Sequence, residues 1–215
     1  LAVFDLDGTL VDSRSSIDRA VHDAWTALDL TPPGYEQTRR IVGLSLIEAV
    51  QILAPDLEPT RYPQLGEAYK NAFLKNRADG HDEPLYDGAI ETLRGLKKEG
   101  WLLGIATGKS RRGIVHFFEH HRTSDLFDTA FCADDGPGKP DPHMLQLNMR
   151  ALDADPARTV MVGDTSFDMA MARAAECYAL GVSWGFHTPA EIRGGGAHAI
   201  VDAFDALDDA LARRP

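Results

Sequence analysis

Short apolar runs recur along the 215-residue chain, and segments with helical spacing separate most of them. Within each run apolar and polar positions hardly alternate, which is typical of strands that are buried on both faces of a parallel sheet. The runs span residues 1–4, 102–106, 129–132, 160–163 and 178–182, with a weaker one at 199–201. The pattern therefore predicts a set of buried parallel strands.

Apolar positions recur with helical spacing at residues 88–99, 111–120, 142–152 and 166–175. Pro142 suits the first turn of a helix, and Gly100 lies just past the end of another. Strands that alternate with helices in this way predict an α/β fold: a doubly wound, mainly parallel sheet with a Rossmann-like core.

One block of the chain, residues 14–82, contains no strand-like run. It has helical patterns at residues 16–28, 36–54 and 60–76 instead. An all-helical block between the first and second strands predicts an inserted α-helical cap domain (14–82) on an α/β catalytic core (1–13 and 83–215). Because ligands of open α/β sheets bind beyond the carboxyl ends of the strands, we expect the cap to cover the site.

Composition narrows the classes of partner. The formal net charge is -11, with 33 acidic against 22 basic residues. Such an acidic surface repels nucleic acid and anionic membranes, so we expect neither as a main partner.

No apolar stretch reaches the length of a transmembrane helix and no basic, apolar leader precedes the first strand. The chain begins inside an apolar run, so we expect the natural N-terminus to extend further; we also expect a cytoplasmic monomer or homodimer.

Two carboxylates, Asp5 and Asp7, follow the first apolar run, and Gly8 then permits a tight turn. A bare pair of this kind is more often a solvated turn. The longer run Asp5-Leu-Asp-Gly-Thr9 is more specific, because it resembles the signature of the haloacid dehalogenase superfamily. In phosphatases of that superfamily, the resemblance implies that Asp5 is the nucleophile and Asp7 the general acid/base.

The second strand-like run leads into Thr107 and Gly108, just before a predicted helix. The Thr107 hydroxyl and the Gly108 N–H group could bind a phosphate oxygen near that helix start. Alone the signal is weak, since Ser and Thr cap many helices. The superfamily has a Ser or Thr phosphate ligand at this place.

Lys139 lies in a loop that leads into a helix, after Thr107 and Gly108 and before the fourth strand-like run at residues 160–163. A loop lysine is usually a solvated charge. Here its position is similar to that of the superfamily lysine that contacts both nucleophile and phosphate. An ammonium group near Asp5 would keep that carboxylate ionised and would neutralise an incoming phosphate.

Asp164 and Asp168 follow the fourth strand-like run. They are four residues apart, so a helix that begins near residue 166 could bring both to one side. Two acids at a helix start also interact favourably with the helix dipole, and this purely structural role is the simpler interpretation of the pair. The resemblance implies that Asp164 binds magnesium and that Asp168 supports the metal site, directly or through water.

The resemblance covers nearly the whole chain, because four stretches occur in the family's order. Residues 41–46 and 181–185 are similar to the phosphoglycolate phosphatase branch. Oxygen-only ligands favour Mg²⁺, held by Asp5, the Asp7 backbone carbonyl and Asp164. The resemblance thus implies a Mg²⁺-dependent phosphatase that acts on a small phosphorylated metabolite through an aspartyl phosphate, with phosphoglycolate as the first candidate from family likeness.

Related activities remain alternatives. A dehalogenase would not need the Asp7 carboxyl, because a halide leaves without a proton. A phosphonatase would use a cap lysine, for which Lys70 and Lys75 are available, but Asp7 favours cleavage of a C–O bond. A sugar phosphomutase shares the whole core and stays open. A binding or regulatory module on this fold would usually lack Asp5, Asp7 or Asp164, and all three are present.

Other conspicuous residues receive structural interpretations. Cys132 and Cys177 are expected to be small buried side chains rather than a disulfide. We expect a histidine cluster without acidic partners at His116, His120 and His121, and a solvated acidic turn at Asp134 and Asp135. We expect a flexible connection at Gly194, Gly195 and Gly196. The two remaining residues, Arg39 and Arg40, are expected to be surface charges, one of which could meet an acidic group of the substrate.

Overall fold

Six parallel strands form one sheet in the computed structural model, which describes residues 1–212. Its strand order is β3-β2-β1-β4-β5-β6. The strands are β1 (Ala2–Phe4), β2 (Leu103–Thr107), β3 (Thr129–Cys132), β4 (Val160–Gly163), β5 (Tyr178–Val182) and β6 (Ala199–Val201). The predicted parallel sheet is confirmed, and each apolar run became a strand.

Ten helices accompany the sheet in the described part of the chain. They are α1 (Arg14–Thr26), α2 (Tyr35–Thr38), α3 (Leu46–Leu53), α4 (Tyr62–Ala78), α5 (Ala89–Lys98), α6 (Arg111–His121), α7 (His143–Leu152), α8 (Ser166–Ala174), α9 (Pro189–Gly194) and α10 (Leu207–Ala212). Successive strand residues point to opposite faces, so Phe4 packs in the cluster with α5, α6 and α10, while Val3 packs in the cluster with α7, α8 and α9. Helices therefore cover both faces of the sheet.

Helices α1–α4 lie between β1 and α5, and α1, α3 and α4 share their own apolar cluster, in which Val21 and Trp25 of α1 pack with Leu65 of α4. This packing is what the cap prediction requires, although the boundaries at 13/14 and 82/83 remain a prediction. The single helix predicted over 36–54 is wrong. Gly43 adopts a φ of 101°, and Ser45 then begins α3 through a capping box.

The C-terminal elements were not all anticipated. Sequence analysis predicted neither α9 nor α10, which have six residues each, although Thr188 and Glu191 form a capping box and Pro189 occupies the first turn of α9. Gly194 ends α9, and a Cβ on Gly195 would clash with the backbone of Ser166, so these glycines belong to a packed helix end rather than a flexible connection. No helix of residues 1–212 is long and apolar enough to span a membrane.

Candidate active site

Asp5 and Asp164 lie at the carboxyl ends of neighbouring strands. Asp5 follows β1 and Asp164 follows β4, and these two strands pair in parallel. The backbone N–H of Asp5 donates to the Val162 carbonyl at 3.0 Å, which extends the ladder up to the carboxylate. The chain order reverses between β1 and β4, so the pair lies at the topological switch point where open α/β sheets bind ligands.

Lys139 reaches these carboxylates from the loop before α7. Its side chain is fully buried, and its Nζ atom lies 2.8 Å from Oδ1 of Asp5 and 2.6 Å from Oδ1 of Asp168. Burial opposes the charged form of this lysine, but Asp168 and Asp5 together outweigh it and raise its pKa. Lys139 is therefore a buried cation shared by two carboxylates.

Asp168 has a partner for each of its oxygens. Oδ2 accepts the backbone N–H of Thr165 at 3.0 Å and its hydroxyl at 2.6 Å, which forms the capping box that begins α8. Oδ1 faces Lys139. The start of α8 thus fixes the carboxylate that orients Lys139.

Asp164 is also held by two donors. The Thr9 hydroxyl donates to Oδ1 at 2.9 Å, and the Phe186 N–H donates to Oδ2 at 2.7 Å. A Cβ at Gly8, which has a φ of 80°, or at Gly185 would clash with this carboxylate. Two glycine-containing turns therefore enclose Asp164.

The carboxylates of Asp5, Asp164 and Asp168 offer oxygens that lie within 4.8 Å of one another. Burial raises the pKa of Asp5 to about 7 against the pull of Lys139, and burial with the nearby Asp168 raises the pKa of Asp164 well above its usual range. Oδ2 of Asp5 is buried and has no hydrogen-bond partner among the described residues. Three carboxylates around one ammonium leave excess negative charge, so this oxygen-only cluster fits a divalent metal ion.

Thr107 and Gly108 follow β2 at the same edge of the sheet. The buried Thr107 hydroxyl accepts the Lys109 N–H at 3.2 Å. A Cβ on Gly108 would lie 2.9 Å from the Leu44 carbonyl oxygen of the cap, so this glycine lets the cap approach closely. Their assignment to phosphate binding remains a prediction.

A row of alternating charges extends from Asp7 into the cap. Asp7 Oδ1 lies 2.8 Å from Lys109 Nζ, which also donates to Glu83 Oε1 at 2.8 Å, and Arg77 donates to Glu83 Oε2 at 2.8 Å. Lys109 and Arg77 lower the pKa of Glu83 to about 2 although burial opposes this. Sequence analysis missed this row; Lys109 stands directly after Gly108, but its partners depend on where α4 ends.

Arg39 joins the cap to the core, which corrects its interpretation as a surface charge. Its guanidinium donates to Glu36, to Glu191 at 3.0 Å and to the Phe186 carbonyl at 3.2 Å. Its side chain is 11% exposed, whereas that of Arg40 is 64% exposed. The bonds of Arg39 fasten the helical lobe beside the loop that holds Asp164.

A cavity of about 500 Å³ separates the cap from the core and reaches Asp5 and Asp7. Apolar side chains from α1, α3 and α4 form most of its upper wall. Helices α1, α3 and α4 therefore lie across the cavity from Asp5 and Asp7.

Residues 2–182 match the family model of haloacid dehalogenase-like hydrolases. The chain belongs to this family. A protein named "Probable phosphatase IndB" from Dickeya dadantii is 36% identical over 209 residues, which is 96% of this chain and 91% of that protein. A phosphoglycolate phosphatase from Agrobacterium fabrum is 30% identical over 219 residues, 98% of this chain and 91% of the relative. A solved haloacid dehalogenase-like hydrolase from Bacteroides fragilis has a TM-score of 0.87 and 28% identity, covering 96% and 98% of the two chains.

The cysteine interpretation holds in this haloacid dehalogenase-like hydrolase. Cys132 and Cys177 are buried and free. His116 and His120 stack on α6 at 5.5 Å between ring centroids, and the histidines join no metal-binding group of the described residues. Asp135, by contrast, pairs with Arg111 and accepts the Cys132 N–H, so this acidic turn is tied to the end of β3.

Proposed function

We propose that this chain is a Mg²⁺-dependent phosphomonoester hydrolase that forms an aspartyl phosphate on Asp5. One observation carries the proposal: Asp5 is buried at the switch point, with one oxygen beside Lys139 and the other without a protein partner. The hydrolase family and the names of both relatives support the expected class of enzyme, a phosphatase.

In the first step a carboxylate oxygen of Asp5 attacks phosphorus in line with the departing ester oxygen. Lys139, fixed by Asp168, neutralises charge on the phosphoryl oxygens. Asp7 gives its proton to the ester oxygen as the P–O bond breaks, so the product leaves as an alcohol.

In the second step water hydrolyses the aspartyl phosphate. Asp7, now a carboxylate, accepts a proton from that water as its oxygen attacks phosphorus. Inorganic phosphate leaves, Asp5 is restored as a carboxylate and Asp7 is protonated again. Lys109 beside Asp7 would hold this carboxylate toward the cavity.

The metal would be held by the carboxylates of Asp5 and Asp164 and the backbone carbonyl of Asp7, with Asp168 supporting the site. When bound, Mg²⁺ supplies positive charge that lets an anionic nucleophile approach a phosphate dianion. The Thr107 hydroxyl and the Gly108 N–H, together with Lys139, would bind the remaining phosphate oxygens.

The proposed substrate is a small phosphorylated metabolite, and phosphoglycolate is the ester against which others are compared, because a 30% identical relative is named phosphoglycolate phosphatase. Asp7 supports ester hydrolysis rather than dehalogenation, since an alkoxide needs a proton and a halide does not. The acidic chain favours neither nucleic acid nor anionic membranes as a partner.

Phosphate release from p-nitrophenyl phosphate tests the proposal. We expect turnover with Mg²⁺, none after EDTA treatment and recovery when Mg²⁺ is restored. Asp5→Asn should lose at least 10³-fold in kcat, because an amide is a poor nucleophile. Full activity in metal-free buffer, or activity of Asp5→Asn within tenfold of the wild type, would contradict it. With β-glucose 1-phosphate, free phosphate indicates a hydrolase and glucose 6-phosphate a mutase.

A further inference from the structure

The cavity between cap and core is far larger than a phosphate group needs. Its volume is about 500 Å³, and Asp5 and Asp7 are among the residues that line it. A phosphoryl group placed at Asp5 leaves most of this space to the leaving group of the ester. The residues that line this space therefore help to determine which ester can bind.

The walls of the cavity above Asp7 are mainly apolar. Helix α1 contributes Ile17 and Trp25, α3 contributes Leu46 and Val50, and α4 contributes Tyr69 and Phe73. Apolar and aromatic walls bind an apolar body of matching size and desolvate any charged group that enters without a partner.

The charged side chains of the lining are equally divided between the two signs, and Glu67 pairs with Lys70. Four carboxylates and four cations line the cavity: Asp5, Asp7, Glu67 and Asp134, with Lys70, Arg77, Lys109 and Arg112. The two cations deepest in the row, Lys109 and Arg77, are both bound to Glu83, and Lys109 also to Asp7. Their side chains are 8% and 12% exposed, so neither is a free surface charge that could turn to a second anion.

We propose that the substrate is a phosphomonoester of an uncharged alcohol that carries an aromatic or branched apolar body. This inference rests on the proposed hydrolase function and specifies its substrate class. Near Asp7, a carboxylate such as that of glycolate would lie against apolar walls or compete with Glu83 for Lys109, and glycolate would fill little of the volume.

Three alkyl phosphates test this with equally poor leaving groups: phosphoglycolate, ethyl phosphate and benzyl phosphate. Ethyl phosphate is about as small as phosphoglycolate but lacks the carboxylate, and benzyl phosphate adds a ring. We expect kcat/KM to be at least tenfold higher for benzyl than for ethyl phosphate, and lowest for phosphoglycolate.

Glu83→Gln tests the charge argument. It removes the anion that binds Lys109 and Arg77, so we expect kcat/KM for phosphoglycolate to rise about tenfold relative to ethyl phosphate. The ratio of two alkyl esters cancels any effect of the change on Asp7. Should this variant fail to fold, Phe73→Ala tests the apolar wall: it should lower kcat/KM for benzyl phosphate about tenfold relative to ethyl phosphate. Ile52→Ala, an exposed position on α3 outside the cavity lining, is the control and should alter neither ratio.

Phosphoglycolate as the best of the three esters would overturn the inference and leave the hydrolase proposal intact. Equal rates for benzyl and ethyl phosphate, or unchanged ratios in both Glu83→Gln and Phe73→Ala, would also overturn it. Hydrolysis of p-nitrophenyl phosphate without hydrolysis of any alkyl ester counts against it too. No turnover of any ester with Mg²⁺ present would instead refute the proposed function.

Discussion

Lys139 and Asp168 form an ion pair of 2.6 Å in which both side chains are completely buried. The same ammonium lies 2.8 Å from Asp5, so one cation offsets two carboxylates. A buried charge without its partner is strongly unfavourable, whereas the pair itself adds little to stability. Lys139 therefore supports the fold and the proposed chemistry together.

Lys139→Met should reduce both stability and activity. Asp5 and Asp168 would lose their buried counter-charge, so we expect the free energy of unfolding to fall by about 3 kcal/mol. We also expect kcat to fall at least about 10²-fold, as when other transition-state charge stabilisers are removed. Urea denaturation and phosphate release measure the two effects. The control is Lys97→Met, which breaks a partly exposed ion pair with Asp128 and should cost about 1 kcal/mol or less. Wild-type kcat in Lys139→Met would contradict the role given to Lys139.

Asp7→Asn should separate the two chemical steps. Asp5 can still attack p-nitrophenyl phosphate, because nitrophenolate departs without a proton, but no base then activates water. Rapid quench should show a burst of up to one nitrophenol per enzyme, and mass analysis should show phosphate on Asp5. With an alkyl phosphate neither product should form. Steady turnover of the aryl ester near the wild-type rate, at saturating Mg²⁺, would remove Asp7 from the role of base.

Gly108→Ala should hinder the approach of the cap. The new Cβ would lie 2.9 Å from the Leu44 carbonyl oxygen and 3.0 Å from that of Gly43, and backbone atoms must then shift. The substitution keeps the Gly108 N–H, so a loss of about tenfold in kcat/KM would report the position of the cap rather than a missing phosphate ligand.

Gly95→Ala is the matched control for Gly108→Ala. Nothing lies within 4 Å of a Cβ at Gly95 in α5, so this variant should gain about 0.5–1 kcal/mol of stability and keep its activity. Equal kcat/KM in both variants would show that the cap does not need its close approach at Gly108.

Arg39→Ala and Arg40→Ala should differ, although the residues are adjacent. Loss of Arg39 leaves the Phe186 carbonyl and Glu191 without a donor they now have, so we expect the free energy of unfolding to fall by about 1–3 kcal/mol. Arg40 lies 3.9 Å from Glu191 and is mostly exposed, so its loss should cost about 0.5 kcal/mol or less. Thermal denaturation of both variants checks this, and equal melting temperatures would count against Arg39 as the link between cap and core.

Much of the fold could be predicted because it is encoded locally. A strand buried on both faces must be apolar throughout, so β1 to β5 are recognisable from a few residues each. The carboxylates could be predicted because parallel strands end at one edge, which brings Asp5 and Asp164 together whatever fills the intervening chain.

The cap was less predictable because tertiary contacts decide its details. The apolar spacing of a helix continues through 36–54, yet Gly43 breaks it where a Cβ would lie 3.2 Å from the Thr165 hydroxyl of the core. The row from Asp7 through Lys109 and Glu83 likewise exists only once the C-terminal part of α4 meets the loop after β2, where Lys109 lies over the Phe73 ring. Nothing in the sequence near Arg39 indicates that Glu191 will be its partner.

The position of β1 between β2 and β4 has a consequence for folding kinetics. Thr9 and Asp164, which meet through a hydrogen bond, are 155 residues apart, so the carboxylate cluster depends on contacts of very high sequence separation. Such contacts form slowly, because loop-closure entropy opposes them. A divalent cation held by Asp5 and Asp164 would bind the folded core in preference to partly folded chains and would therefore stabilise the folded state. At a hundredfold excess over its Kd it would add about 2.7 kcal/mol to the folded state.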